Sequence, residues 1–117
     1  MREPLVLPDL TDIAAHPERL AWEPLHPGIE IHFIYQGTPD GPAAAFLRYE
    51  PGARLARHRH PGLEHVFVLS GAQQDERGRY GAGAMVVNPP GSAHNVSSPE
   101  GCLVLVLWER PVQFEPA

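Results

Sequence analysis

The sequence contains no lysine, a single cysteine and no apolar run longer than the seven residues 102–108. Its nine basic residues are all arginine, and 14 acidic residues give a formal net charge of −5. This acidic balance argues against a general nucleic-acid surface, which needs clustered positive charge. The lone Cys102 rules out a disulfide framework and predicts a reducing, cytoplasmic location. The apolar runs are too short for a membrane-spanning helix, so no membrane partner is expected.

Proline and glycine are abundant by contrast, with 14 and 11 copies in 117 residues. Both residues interrupt helices, so long helices have little room and an all-β fold is predicted. One short helix is expected over residues 11–15, with Asp9 or Thr11 as its N-cap and Pro17 limiting its length. A chain of this length forms a single domain and can bury a core.

Short apolar segments recur between turn signals, a pattern typical of an antiparallel sandwich or barrel. The predicted strands are 29–35, 43–49, 55–60, 64–69, a hairpin over 73–80, 84–87, 94–96 and 103–109. A barrel of about eight strands is wide enough to hold one small ligand. The unbroken run 102–108 predicts that both faces of its strand are buried, one in the barrel and one under the N-terminal segment or a second subunit.

Four potential metal ligands lie in two separated segments. His58 and His60 are two residues apart, so both imidazoles leave the same face of an extended strand. Glu64 opens the next strand, and His94 follows a rigid Pro-Pro-Gly turn. Zinc, iron, manganese and nickel all bind imidazole and carboxylate sets of this kind. The sequence predicts one divalent ion on these four side chains, although Glu64 has an alternative role as the partner of an arginine such as Arg59.

These two segments resemble the paired motifs of the cupin superfamily. The matched positions of the first motif are Gly52, His58, His60, Glu64 and Gly71. The matched positions of the second motif are Gly83, Pro89, Gly91 and His94, and Ser98 stands where the family has asparagine. The resemblance implies a cupin-type double-stranded β-helix, or jelly-roll barrel, as a single domain with an N-terminal arm.

A narrower resemblance, to the ChrR-like cupins, runs from residue 22 to 108. Its matching features are Trp22 with Pro27-Gly28, Arg48 with Pro51-Gly52, residues 58–62, residues 88–91 with His94, and residues 100–102. On this basis we expect an N-terminal arm over residues 1–21, a cupin barrel over 22–110 and a C-terminal tail over 111–117. The anti-sigma activity of that family lies in a separate N-terminal zinc-binding domain. Residues 1–21 contain no cysteine and one histidine, so direct sigma-factor inhibition is not expected.

Two functions follow from the resemblance. The first is an enzyme similar to the cupin dioxygenases, in which ferrous iron on three histidines and one glutamate leaves room for dioxygen and a small diketone or hydroxy acid. The second is a zinc-binding module that senses a ligand or an oxidant without turnover. A metal-free scaffold of the same fold is a third, weaker reading. Small cupins commonly dimerise, so a homodimer that binds a small molecule is expected.

The remaining polar residues have less definite roles. Arg48 and Arg54 could bind an acidic substrate, because guanidinium pairs well with carboxylate. A solvated position on an outer face is favoured for Arg54, whereas both roles stay open for Arg48. His65 is expected at the surface or at an interface. Five residues are expected to be buried in the core, namely Phe46, Tyr49, Met85, Cys102 and Trp108.

Overall fold

Ten short strands and one α-helix make up the regular structure of residues 3–115, the part of the chain that the computed structural model describes. The helix α1 spans Leu10–Ala15, and a 3-10 turn spans Pro17–Arg19. The strands are β1 (Glu23–His26), β2 (Ile29–Gln36), β3 (Ala43–Tyr49), β4 (Ala53–Arg59), β5 (Glu64–Asp75), β6 (Gly78–Gly81), β7 (Met85–Asn88), β8 (Ala93–Ser98), β9 (Cys102–Trp108) and β10 (Gln113–Phe114). No helix within residues 3–115 has the length and hydrophobicity needed to span a membrane.

The helix forms where the sequence predicts it. Asp9 is the N-cap, and its Oδ1 accepts hydrogen bonds from the backbone N–H groups of Thr11 and Asp12 at 3.0 and 3.2 Å. Pro17 follows the helix and opens the 3-10 turn. The indole Nε1 of Trp22 donates to the carbonyl oxygen of Pro17 at 2.8 Å. This bond ties the N-terminal segment to the start of the barrel.

The strands form one curled antiparallel sheet. Its order is β1-β2-β3-β9-β5-β8-β4-β10, with β6 and β7 paired to β5. The 12-residue β5 pairs with β7 and β9 along its first half and with β6 and β8 along its second. Because one long strand belongs to both walls, the sheet encloses an interior. This architecture confirms the predicted all-β jelly-roll barrel.

Side-chain alternation decides which residues fill that interior. Ile31, Leu47, Val104 and Val68 are opposite one another across β2, β3, β9 and β5, and all four are buried. Burying one aliphatic side chain of this size stabilises a fold by about 1.5–3 kcal/mol. The same side of the sheet also holds Cys102, which is buried as predicted.

The opposite face of the sheet is only partly covered. Phe46 is buried there, but Met85, Val87 and Leu107 are 58, 49 and 41% exposed. Within the single chain Leu107 is therefore not covered by the N-terminal segment, and burial of this face of β9 by a second subunit stays a prediction. The expectation that Met85 belongs to the core is wrong, because among the described residues β7 pairs with β5 alone and lies at the margin of the sheet.

Two strands were not predicted, and one is longer than predicted. β1 contains Pro24, and β10 has only two residues, so neither has an alternating pattern that the sequence could reveal. β5 does not end at residue 69 but continues to Asp75, since its second half pairs with β6 over Ala72–Asp75. The other predicted strands agree with the structure to within two residues at each end.

Candidate metal centre

Three of the four predicted ligands lie together inside the barrel. His58 is on β4, His60 follows that strand directly, and His94 on β8 is the register partner of His58. All three side chains are buried, and one ring nitrogen from each lies within 4.8 Å of the other two. Their ring centroids are 4.7–5.1 Å apart. The two sequence segments thus meet in one histidine cluster.

Backbone hydrogen bonds fix the two segments against each other. The N–H of His60 donates to the carbonyl oxygen of Ser92, and the carbonyl oxygen of His60 accepts from the N–H of Gly91, both at 2.8 Å. Gly91 has φ +89°, in the left-handed region that residues with a Cβ rarely adopt. The Pro-Pro-Gly turn can therefore close against His60, which sets the position of His94.

Each imidazole is oriented by a partner on its Nδ1 atom. Nδ1 of His58 lies 2.9 Å from the carbonyl oxygen of Ala56, and Nδ1 of His60 lies 3.1 Å from that of Ser92. Nδ1 of His94 lies 3.0 Å from a carboxylate oxygen of Asp75. Carbonyl and carboxylate oxygens only accept hydrogen bonds, so Nδ1 is the protonated nitrogen in all three rings. In the neutral ring, each Nε2 atom then has a free lone pair.

The Nε2 lone pairs of the three histidines point toward one another, and no hydrogen-bond donor of the described residues lies between them. Nε2 of His58 lies 3.0 Å from Nε2 of His94, and the buried Nε2 of His60 has no hydrogen-bond partner among the described residues. Facing lone pairs repel unless a proton or a cation lies between them. Burial lowers the pKa of His58 and the nearby histidines add to that effect, whereas the Ala56 carbonyl and the Glu64 carboxylate oppose it. The net shift is downward, so a proton on His58 is disfavoured. The donor set fits a divalent metal ion, which neutral imidazoles bind through the free nitrogen.

Glu64, the fourth predicted ligand, lies beside the histidine cluster. Its Oε1 is 3.2 Å from Nε2 of His60 and accepts a hydrogen bond from Asn88 at 2.9 Å, and its Oε2 accepts from the Trp108 indole at 2.7 Å. Burial opposes ionisation of Glu64, but the imidazole of His60 in its protonated form and the two hydrogen bonds outweigh burial and lower its pKa. A buried carboxylate next to an unpartnered ring nitrogen can contribute an oxygen ligand, and this role stays a prediction.

Asp75 is the residue of the site that the sequence does not reveal. Its side chain is as buried as that of His94, and its Oδ1 accepts from the hydroxyl of Tyr80 and from the backbone N–H of Arg77, both at 2.9 Å. β5 has a register shift between Val68 and Ser70. The shift reverses the alternation, so Glu64 near the start of the strand and Asp75 at its end both reach the centre.

A cavity of about 200 Å³ adjoins the cluster. His58, His94 and Glu64 line one part of its wall, and most other lining side chains are apolar. At its outer side lies Phe114 of β10, whose ring centroid is 5.5 Å from that of His58. A small molecule in this cavity would contact the histidine cluster directly.

The structure places the residues whose roles the sequence left open. Arg48 is on the outer face, where its guanidinium donates to Glu30 at 2.6 Å and stacks over Trp22 at 4.7 Å from the ring centroid. Arg54 is exposed on β4, so neither arginine lines the cavity. His65 faces outward between Val87 and Leu107.

Two of the expected core aromatics also belong to the cavity wall. Tyr49 is buried in the core cluster and lines the cavity. Trp108 packs against the same core, lines the cavity and donates to Glu64.

Comparisons with known proteins show the family of the chain. Residues 10–112 match the model of the family described as the ChrR cupin-like domain. The anti-sigma-E factor ChrR of Cereibacter sphaeroides is 32% identical over 100 residues, which cover 83% of this chain and 46% of that protein. The chain therefore spans less than half the length of this relative.

Two solved structures extend the comparison. The Rhodobacter sphaeroides SigE complex with anti-sigma ChrR superposes with a TM-score of 0.73 and 27% identity, covering 85% of this chain and 55% of the other. An acetylacetone dioxygenase from Acinetobacter johnsonii superposes with a TM-score of 0.77 and 16% identity, covering 99% and 79%. At 16% identity the second likeness shows the fold alone.

Proposed function

The chain belongs to the ChrR cupin-like domain family, and from that premise we propose that it binds one divalent metal ion and acts on a small oxygenated molecule in a dioxygenase-like reaction. The proposed ligands are His58, His60, Glu64 and His94. The observation that supports this proposal is the cluster of three buried histidines, each with a ring nitrogen within 4.8 Å of the other two, beside the carboxylate of Glu64.

The donor types are compatible with zinc, iron, nickel or manganese, since selection among these ions depends on geometry and supply. A bound divalent ion would act as a Lewis acid toward an oxygen atom of the substrate. The other tasks fall to the chain itself. Ala56, Ser92 and Asp75 hold the rings in one tautomer, and the apolar cavity wall limits the entry of water.

Oxygen consumption tests the enzymatic part of the proposal. The protein is loaded with ferrous iron under anaerobic conditions and then given oxygen with a panel of small diketones and hydroxy acids. We expect oxygen uptake that requires both iron and substrate and that is lost in His94→Ala. The same panel without uptake for iron-, manganese-, nickel- or zinc-loaded protein would contradict a dioxygenase-like reaction while leaving the metal site intact.

A ligand-sensing module is the second candidate, and the 32% identity to ChrR supports it. Such a module would bind the metal and a ligand without converting the ligand. A ligand that raises the melting temperature of the zinc-loaded protein, yet is recovered unchanged after incubation with oxygen, would favour this function over the enzymatic one.

We further propose that the protein is a homodimer. The exposed Met85 and Val87 of β7 and Leu107 of β9 lie on the outer face of the barrel, on the two strands that flank β5. His65 of β5 lies between Val87 and Leu107 in register. An uncharged apolar patch of this kind favours association with another protein surface. Sedimentation equilibrium should give twice the chain mass, and Val87→Glu with Leu107→Glu should give the monomer. A wild-type monomer at micromolar concentration would contradict the proposal.

A further inference from the structure

The cavity beside the histidine cluster has no cationic wall. Among the described residues that line it, none is arginine, and the sequence contains no lysine. Its side chains are mainly aliphatic, as at Leu47, Val66 and Val106. The charged group on its wall is the carboxylate of Glu64, which is negative. The wall also includes the imidazole of His26, but an anionic group of a ligand would find no guanidinium or ammonium group within this cavity.

The arginines nearest in sequence to the ligands are directed elsewhere. Arg57 and Arg59 flank His58 but are exposed, and Arg57 pairs with Glu115 at 3.2 Å. Arg48 is paired with Glu30 on the outer face. Strand alternation explains this pattern, because the residues next to an inward-facing histidine face outward.

The wall also carries polar side chains that are not proposed metal ligands, namely His26, Gln36, Thr38, Tyr49 and Gln73. Tyr49 and Gln73 are both buried and both line the cavity. Burial, together with the nearby Cys102 and Glu64, raises the pKa of Tyr49, and the Gln73 amide only partly opposes this. Tyr49 thus offers a neutral hydroxyl, and Gln73 a neutral amide. Both groups suit a carbonyl or hydroxyl oxygen of a ligand.

We propose that the cavity selects a compact, uncharged ligand with two oxygen donors and apolar flanks, and rejects ligands that place a negative charge beyond the metal ion. This inference rests on the proposed metal site and narrows its substrate class. Small diketones meet the requirement, whereas dicarboxylates do not. A second carboxylate would lie against aliphatic side chains, where an unpaired charge is strongly unfavourable.

Three probes with the same number of non-hydrogen atoms test the charge preference. They are pentane-2,4-dione, acetoacetate and malonate, with charges of 0, −1 and −2 near neutral pH. Their dissociation constants are measured by calorimetry with the zinc-loaded full chain. Each is normalised to the affinity of the same probe for free zinc in the same buffer. We expect affinity to fall in that order, with malonate at least about 100-fold weaker than the diketone.

A matched pair of variants tests the cause. Leu25 lines the cavity but is 38% exposed, so a longer polar side chain can be placed there without disturbing the core. Leu25→Arg places a guanidinium at the cavity wall. It should lower the ratio of the malonate dissociation constant to that of the diketone by about tenfold or more. Leu25→Gln, which adds no charge, should leave this ratio of dissociation constants unchanged.

The outcomes separate this inference from the proposed function. If zinc binds and malonate binds as tightly as the diketone, or no probe binds, the inference is wrong and the metal site stands. If zinc does not bind, the proposed function fails. In that case the affinities of the three probes are ranked with the metal-free chain. This ranking decides the charge preference, because the cavity wall is the same without the metal ion. If Leu25→Arg leaves the ratio of the malonate and diketone dissociation constants unchanged, the lack of a cationic side chain does not explain the preference.

Discussion

Nδ1 of His94 lies 3.0 Å from Oδ2 of Asp75, and the two side chains are equally buried. Asp75 is itself held by hydrogen bonds from Tyr80 and from the backbone of Arg77. A carboxylate behind a histidine fixes the tautomer of the ring and makes the other nitrogen a better metal ligand. This pair connects the far end of β5 to the histidine cluster.

Asp75→Asn should weaken zinc binding by about 10–100-fold, because the amide removes the charge that supports His94. Chelator competition measures the affinity. Tyr80→Phe is the matched control, since it removes one hydrogen bond to Asp75 but leaves the contact between Asp75 and His94; it should bind zinc nearly as the wild type does. Equal affinities for Asp75→Asn and the wild type would show that Asp75 has no positioning role.

Glu64→Gln tests whether the carboxylate is a ligand. The amide keeps an oxygen that can accept from Trp108 or Asn88, but it loses the charge, so zinc affinity should fall at least about tenfold. Trp108→Phe should instead keep zinc binding and lower the free energy of unfolding by about 1–3 kcal/mol, because one hydrogen bond to a buried carboxylate is lost. Undiminished zinc binding in Glu64→Gln would indicate a site made of the three histidines alone.

Acid should destabilise the metal-free protein. Burial lowers the pKa of His58 below its ordinary 6.5, so as the pH falls past that value the unfolded chain binds a proton that the folded chain does not, and stability decreases. Burial opposes ionisation of Asp75, but hydrogen bonds outweigh it and lower its pKa below 3.8, which adds a further loss in more acidic solution.

The melting temperature of chelator-treated protein between pH 8 and pH 5 measures the first of these effects. We expect it to fall with pH in the wild type and to fall less in His58→Gln, which has no group titrating at that position. A melting temperature that rises on acidification would contradict the direction inferred for His58.

Gly71→Ala should be among the most destabilising small substitutions in the barrel. Gly71 has φ +68°, and a Cβ there would lie 2.0 Å from the carbonyl oxygen of Gly101. Gly52 has φ +86° with no atom within 4 Å of its Cβ position, so Gly52→Ala isolates the backbone strain of about 1–2 kcal/mol. Because of the steric clash, the free energy of unfolding should fall by about 1–3 kcal/mol more in Gly71→Ala than in Gly52→Ala. Denaturant unfolding measures the stability of both variants. Equal losses of unfolding free energy would show that the turn at Gly71 shifts to relieve the clash.

Much of the fold and all three residues of the histidine cluster could be predicted from the sequence, because their signals are local. Proline and glycine mark the turns, and the spacing of His58 and His60 requires only that β4 be extended there. The register of β4 with β8 then brings His94 opposite His58.

Other features depend on pairing that the sequence does not encode locally. Asp75 was missed because the register shift after Val68 reverses the side-chain alternation of β5. β10 was missed because its two residues are ordered by pairing with His58 and Arg59 rather than by their own pattern. The hydrophobicity of Met85 predicts a core residue. Met85 is exposed instead, because its strand lies at the sheet margin.

Metal content measured by elemental analysis after saturation with zinc and gel filtration tests the proposed site most directly. We predict one zinc ion per chain for the wild type, and close to none for His58→Ala and His94→Ala, each checked for folding by circular dichroism. Folded variants that keep the same zinc content as the wild type would contradict a metal site on these histidines.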